Sequence, residues 1–281
     1  MMMNFTMPRA TALAFALLAP LAAHADCTPA IASEDLVEGP ALHLSINPTN
    51  PPQQFVDEKD QLQGLNVDLA AELGKRMCLD VELVRMDFPA MIPAMNAGRI
   101  YGLNTGMFWT EERSKLMWTV PYSEQSISVV VSARSDATLA SEEDLAGKTV
   151  AVEINSYQMN WLKKQSEDLV AAGKKEINIR GFQTASNVVA ALRAGQVDNA
   201  LLVDSVGRDL VARGEVKEIL TGLGKTRTTM AFRNKTVADA IVKAFDEMQD
   251  DGTYKALFDK WQLSPLPEGE RVAIAGTGPQ Q

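Results

Sequence analysis

Side chains that carry most protein chemistry are scarce here: two histidines and two cysteines in 281 residues. His24 falls in an N-terminal leader, which leaves His43, set in an alternating stretch where it reads as structural. One histidine makes neither a His-based triad nor a His-rich metal site. Cys27 and Cys78 are too widely separated for a zinc motif; in an exported chain they permit one disulfide, and they also admit two free thiols. No GxxxxGK[ST] or GxGxxG is present, and Gly222-Leu223-Gly224-Lys225 reads as a turn rather than a phosphate loop. Acidic residues fall mostly on helix faces, where solvation accounts for them. The residues therefore assign no catalytic group, no metal and no cofactor. An enzyme would have to use carboxylate, tyrosine or lysine chemistry.

The leader is legible on its own physics. Arg9 precedes the apolar run Ala12 to Ala23, and Ala23-His24-Ala25 offers small residues where a signal peptidase reads. The run is shorter than the ~20 apolar residues of a permanent spanning helix. Residues 1–25 therefore read as a signal peptide, whether the start is Met1 or Met7, and the chain as an exported, periplasmic one. Asp26 before Cys27 disfavours a lipid anchor. The full-length net charge is −9 and falls by one unit with Arg9, which argues against a nucleic-acid partner. No later segment is apolar and long enough to span a membrane, so the mature chain of roughly 255 residues reads as soluble, with one large domain or two smaller ones.

Short apolar strands alternate with amphipathic stretches, the pattern of an α/β fold with mainly parallel sheets. Strands are expected at Leu42 to Ile46, Val81 to Val84, Ile127 to Val131, Thr149 to Val152, Ile177 to Phe182, Ala200 to Val203 and Thr228 to Phe232. Helices are expected at Asn66 to Met77 with Asn66 as cap, Pro89 to Ala97, Ser156 to Lys164, Ser186 to Ala194, Val237 to Met248 and Tyr254 to Trp261. Residues 266–281, rich in Pro, Gly and polar side chains, read as a disordered tail.

Ordered blocks along the chain carry a resemblance. They run from Gln63-Gly64-Leu65-Asn66-Val67-Asp68 through Phe88-Pro89-Ala90-Met91 and Thr110-Glu111-Glu112-Arg113 to Leu145-Ala146-Gly147-Lys148-Thr149-Val150. Ala191-Leu192-Arg193-Ala194-Gly195, Leu202-Val203-Asp204-Ser205 and Asp251-Gly252-Thr253-Tyr254 follow. Over residues 40 to 262 the chain resembles the family 3 extracellular solute-binding proteins, the periplasmic amino-acid receptors of ABC importers. The resemblance implies a two-lobed periplasmic-binding-protein (Venus-flytrap) fold hinged on two crossing strands. Lobe 1 would be residues 40–128 plus 230–265, and lobe 2 residues 129–229. It implies that Arg113 holds a ligand carboxylate through its planar, permanently charged fork, and that Asp204 accepts from the ligand ammonium. Thr105, Gly106 and the helix start at Ser156 would contact the carboxylate, and Phe88 would pack on the ligand. It further implies a monomer that partners an ABC permease.

Four positions depart from the family pattern. Asn50-Pro51-Pro52-Gln53 replaces an aromatic stretch, Phe108 replaces a small hydroxyl residue, Asn155-Ser156-Tyr157 replaces a Gly-Thr/Ser-Thr/Ser stretch, and Glu153 replaces an apolar residue. Phe108 or Tyr157 could supply the missing stacking surface. Glu153, if it faces the ligand, would favour a second positive charge. Two further readings share the clamp: an enzyme resembling cyclohexadienyl dehydratases or lytic transglycosylases, with Glu153 as acid/base, and a receptor that docks to a membrane sensor.

Overall fold

The computed structural model describes residues 27–32, 36 and 41–279. The signal-peptide expectation for residues 1–25 lies outside the described residues. In chain order the strands are β1 (Leu42–Ile46), β2 (Thr49–Asn50), β3 (Gln54–Val56), β4 (Leu62–Gln63), β5 (Val81–Arg85), β6 (Gly102–Phe108), β7 (Trp118–Ser132), β8 (Thr149–Glu153), β9 (Asn178–Phe182), β10 (Asn199–Val203) and β11 (Val216–Phe232). The helices are α1 (Leu65–Met77), α2 (Phe88–Asn96), α3 (Glu111–Leu116), α4 (Tyr157–Ala171), α5 (Ala185–Arg193), α6 (Asp204–Ala212), α7 (Lys235–Asp250) and α8 (Thr253–Trp261).

Eight strands form one sheet in the order β5-β1-β6-β11-β7-β10-β8-β9. At one end β1 runs parallel to β5 and β6; at the other β8 runs parallel to β10 and β9. Between them stand two long strands, β7 and β11, paired antiparallel over their length. These are the two crossings, and the molecule is two-lobed.

Each end has its own core. Leu65, Leu69, Leu73 and Met77 recur at four-residue spacing along α1 and bury against Ile241, Phe245 and Met248 of α7 and Phe258 of α8. At the other end Val150 and Val152 of β8, Leu201 of β10, Leu162 of α4 and Val188 of α5 form a second core. Helices α7 and α8 thus pack at the first end.

The structure corrects three expectations. Asn66 does not cap α1: Gly64 takes that place, and the buried Asn66 amide instead joins Tyr122 Oη (2.5 Å) and Gln54 Oε1 (2.5 Å). Gly222 and Gly224, read as a turn, lie inside β11, where φ of 74° and 51° accommodates shifts of register against β7. The supposed disordered tail is packed across its described part. Leu266 and Val272 are buried in the first core, Arg271 pairs with Asp246 and Asp250, and Glu270 pairs with Arg227. Polar composition hid two apolar anchors whose partners lie elsewhere in the chain. At the other terminus Cys27 and Cys78 are joined as a disulfide, with Cα atoms 5.6 Å apart.

Candidate functional site

Arg113 sits in the first turn of α3. Thr110 caps that helix, its hydroxyl accepting from the Arg113 N–H at 3.1 Å, and so fixes the direction of the side chain. The guanidinium reaches back across the first lobe. It donates to the Phe108 carbonyl (2.8 Å) and to the Asn155 carbonyl of the second lobe (3.2 Å), and lies 5.6 Å from the Phe88 ring centre. Only 9% of the residue is exposed. Burial pushes its pKa down to about 10, with Glu112 opposing. Among the described residues no carboxylate stands within ion-pair distance of it. A desolvated guanidinium bonded only to carbonyls has donor capacity to spare for an anion.

Glu153 faces the same cavity from the second lobe, at the C-terminal end of β8, where an open α/β sheet presents ligand groups. It is 7% exposed and accepts from Asn47 Nδ2 at 3.0 Å, a bond between the lobes. Burial raises its pKa to about 7; the Asn47 bond opposes the shift, Asp87 adds to it, and the Ala185 N–H opposes it.

Asn50, Gln53, Thr105, Gly106, Phe108, Phe88, Ser156 and Tyr157 complete the cavity with Met107, Gln158 and Val203. Phe108 and Tyr157 stack on each other across the lobes, centres 4.8 Å apart and 14° from parallel, and Tyr157 Oη donates to the Gly224 carbonyl at 3.0 Å. The Ser156 hydroxyl caps α4, accepting from Met159 N–H at 3.1 Å and donating to the Glu153 carbonyl at 2.6 Å. The hydroxyl is thus engaged, and the polar groups left at this helix start are backbone N–H groups without intrahelical partners. The Thr105 hydroxyl is held within the first lobe by Asn47 N–H and Gln54 Nε2, both at 3.2 Å. Gly106 has φ of 62°, and a Cβ there would sit 2.3 Å from Gln53 Oε1. Gln53 Nε2 in turn donates to Ser205 Oγ at 3.0 Å, a second bond between lobes.

Asp204 stands apart from this group. It opens α6, but its carboxylate accepts from the hydroxyls of Ser126 and Ser128 on β7 and does not line the cavity. Nor does it cap the helix; Val203 occupies that position. The cause is the antiparallel pairing of β10 with β7, which sets Leu202 opposite Ser128 and brings two hydroxyl donors beside Asp204. Sequence reasoning missed Asn47, Gln53 and Gln158. Asn47 had a signal: it directly follows β1, another strand end facing the cleft. His43 pairs with Glu82 on the first lobe's edge.

The space enclosed is small, about 30 Å³, against ~300–1,000 Å³ for a small-molecule site. The lobes are drawn together, with the stacked rings filling the gap. A guanidinium and a carboxylate thus face one cavity from two lobes that are joined by two long strands.

The chain belongs to the bacterial extracellular solute-binding proteins, family 3, whose profile matches residues 42–264. It is 26% identical over 226 residues to the L-cystine-binding protein TcyJ of Escherichia coli (strain K12), covering 78% of this chain and 82% of that one. It is 29% identical over 234 residues to the histidine-binding periplasmic protein of the same strain, covering 78% and 86%. Among solved structures, an ancestral arginine-binding protein bound to arginine superposes with a TM-score of 0.72 at 32% identity, over 79% of this chain and 98% of that one.

Proposed function

We propose that the protein is a periplasmic receptor that binds an amino acid between its lobes and delivers it to an ABC importer permease. The first lobe would span residues 40–128 plus 230–265 and the second 129–229. The observation that carries the reading is the buried guanidinium of Arg113 and the buried carboxyl of Glu153 on one cavity, neither with an ion-pair partner among the described residues. Arg113 takes the α-carboxylate, and the α4 N-terminus at Ser156 adds backbone donors. Asp204 is engaged by two serines, so Glu153, the one carboxylate among the described residues that line the cavity, takes the α-ammonium. One cation and one anion match a zwitterion of zero net charge. This revises the expectation that Glu153 favours a second positive charge. Phe108 and Tyr157 part to admit the ligand side chain.

Titration calorimetry against the common amino acids tests the proposal. Stoichiometric heat, with the ligand recovered chemically unchanged, is expected, and Arg113→Ala should abolish it. Full affinity in Arg113→Ala would remove the carboxylate assignment, and turnover of the ligand would replace a receptor with an enzyme.

A further inference from the structure

The family match ends at residue 264, yet the chain past that point is built into the structure beside Arg113. We propose that residues 264–279 form a strap that fixes the segment 109–114, and so sets the position of the Arg113 guanidinium. The consequence for ligand affinity rests on the carboxylate reading above; the strap itself does not.

Two neighbours, Arg227 and Thr119, hold the segment 109–114 through Trp109; the strap grips both and also bonds Ser114 directly. Trp109 N–H donates to the Arg227 carbonyl at 2.8 Å, and the Arg227 guanidinium is bound by Glu270 at 2.8 Å. Trp109 Nε1 donates to Thr119 Oγ1 at 3.2 Å, and the same hydroxyl donates to the Ala275 carbonyl at 2.5 Å; Ala275 N–H returns a bond to the Thr119 carbonyl at 2.9 Å. Ser114, next to Arg113, accepts through its carbonyl from Gly278 N–H at 2.9 Å. Trp109 lies between Phe108, whose carbonyl receives the guanidinium, and Thr110, which caps α3. The strap therefore acts on both sides of Arg113, through Trp109 before the helix and Ser114 within it, on a six-residue helix that is too short to hold itself.

The strap's seat on Ser114 is close. A Cβ at Gly276 would lie 2.3 Å from Ser114 Cβ, whereas one at Gly269, in the same strap, would meet nothing within 4 Å. Both glycines have positive φ, 92° and 82°. Gly276→Ala and Gly269→Ala thus share backbone strain, and only the first pushes the strap off α3.

Phenylglyoxal modification of the full chain, read residue by residue by mass spectrometry, tests the proposal without any solute. Gly276→Ala should raise the modification rate at Arg113 roughly tenfold, with Arg76 on α1 as internal reference and Gly269→Ala unchanged. Thr119→Val, which breaks the same chain of bonds without touching the strap's own sequence, should reproduce the effect, and Thr119→Ser should restore the wild-type rate. An unchanged Arg113 rate in both Gly276→Ala and Thr119→Val, or an equal rise at Arg76, overturns the strap. Failure of every amino acid to give heat would overturn the receptor reading and leave this result standing.

Discussion

The central pair is one guanidinium and one carboxylate, each buried and, among the described residues, each without an ion-pair partner. Burial disfavours charge on both, and this makes Glu153 a reporter. Its pKa is raised from 4.5 to about 7, so between those values the folded protein holds a proton that the unfolded chain releases. Unliganded stability should therefore fall as pH rises from 5 to 8, a trend absent from Glu153→Gln melts. Binding should run the other way, because an ammonium pairs only with the ionised form. Affinity should weaken by up to roughly tenfold per unit below pH 7 and level off above it, and calorimetry across pH 5.5–8.5 on wild type and Glu153→Gln checks both signs. Asp204→Asn makes a sharp contrast. If Glu153 is the ammonium acceptor, Asp204→Asn should lower thermal stability, through loss of the Ser126 and Ser128 bonds, and cost less affinity than Glu153→Gln.

The elements explain why part of this was readable and part was not. Strands such as β10, with all five residues buried, announce themselves as short apolar runs. The first half of β11, with Lys217, Glu218, Gly222, Gly224 and Lys225, has no such pattern; it is a strand because β7 pairs with it. Arg113 stood out only through ordered resemblance, since a charge after Thr110 is otherwise unremarkable. The orientation of Asp204 was beyond reach, because the serines that capture it lie 78 and 76 positions away. Gln53 was hidden for the same reason. Its bond to Ser205, with the Asn47 bond to Glu153, ties β2–β3 of the first lobe to the second. Gln53→Ala should shift the unliganded population toward an open form, seen as a larger radius of gyration in X-ray scattering, while saturating ligand should return it to the wild-type value.

Over the whole molecule, both ends of the described chain are fastened to the first lobe, one through Cys27 and the other through Gly278. The disulfide ties Cys27 to the end of α1 across a separation of 51 residues, and the neighbouring Ile31 is buried in the first core. Cys27→Ser with Cys78→Ser should lower unfolding free energy by roughly 2–4 kcal/mol, measured by denaturant titration. Affinity should be nearly unchanged, since Cys78 lies at the far end of α1 from the cavity. Among the described residues no helix is long and apolar enough to cross a membrane.

The crossing strands also impose an order of assembly. Everything from β8 to α6 is contiguous in the chain and can collapse using contacts of short sequence separation. The first lobe cannot finish until β11, α7, α8 and the strap have emerged, because Val237, Ile241, Phe245 and Phe258 complete its core. The half of the site that carries Glu153, Ser156 and Tyr157 rests on a core that needs nothing later in the chain than Val216 and Leu223 of β11. The half that carries Arg113 needs α7, α8 and the strap as well, so a chain truncated after β11 should order the Glu153 half of the cavity and leave the Arg113 half unfinished.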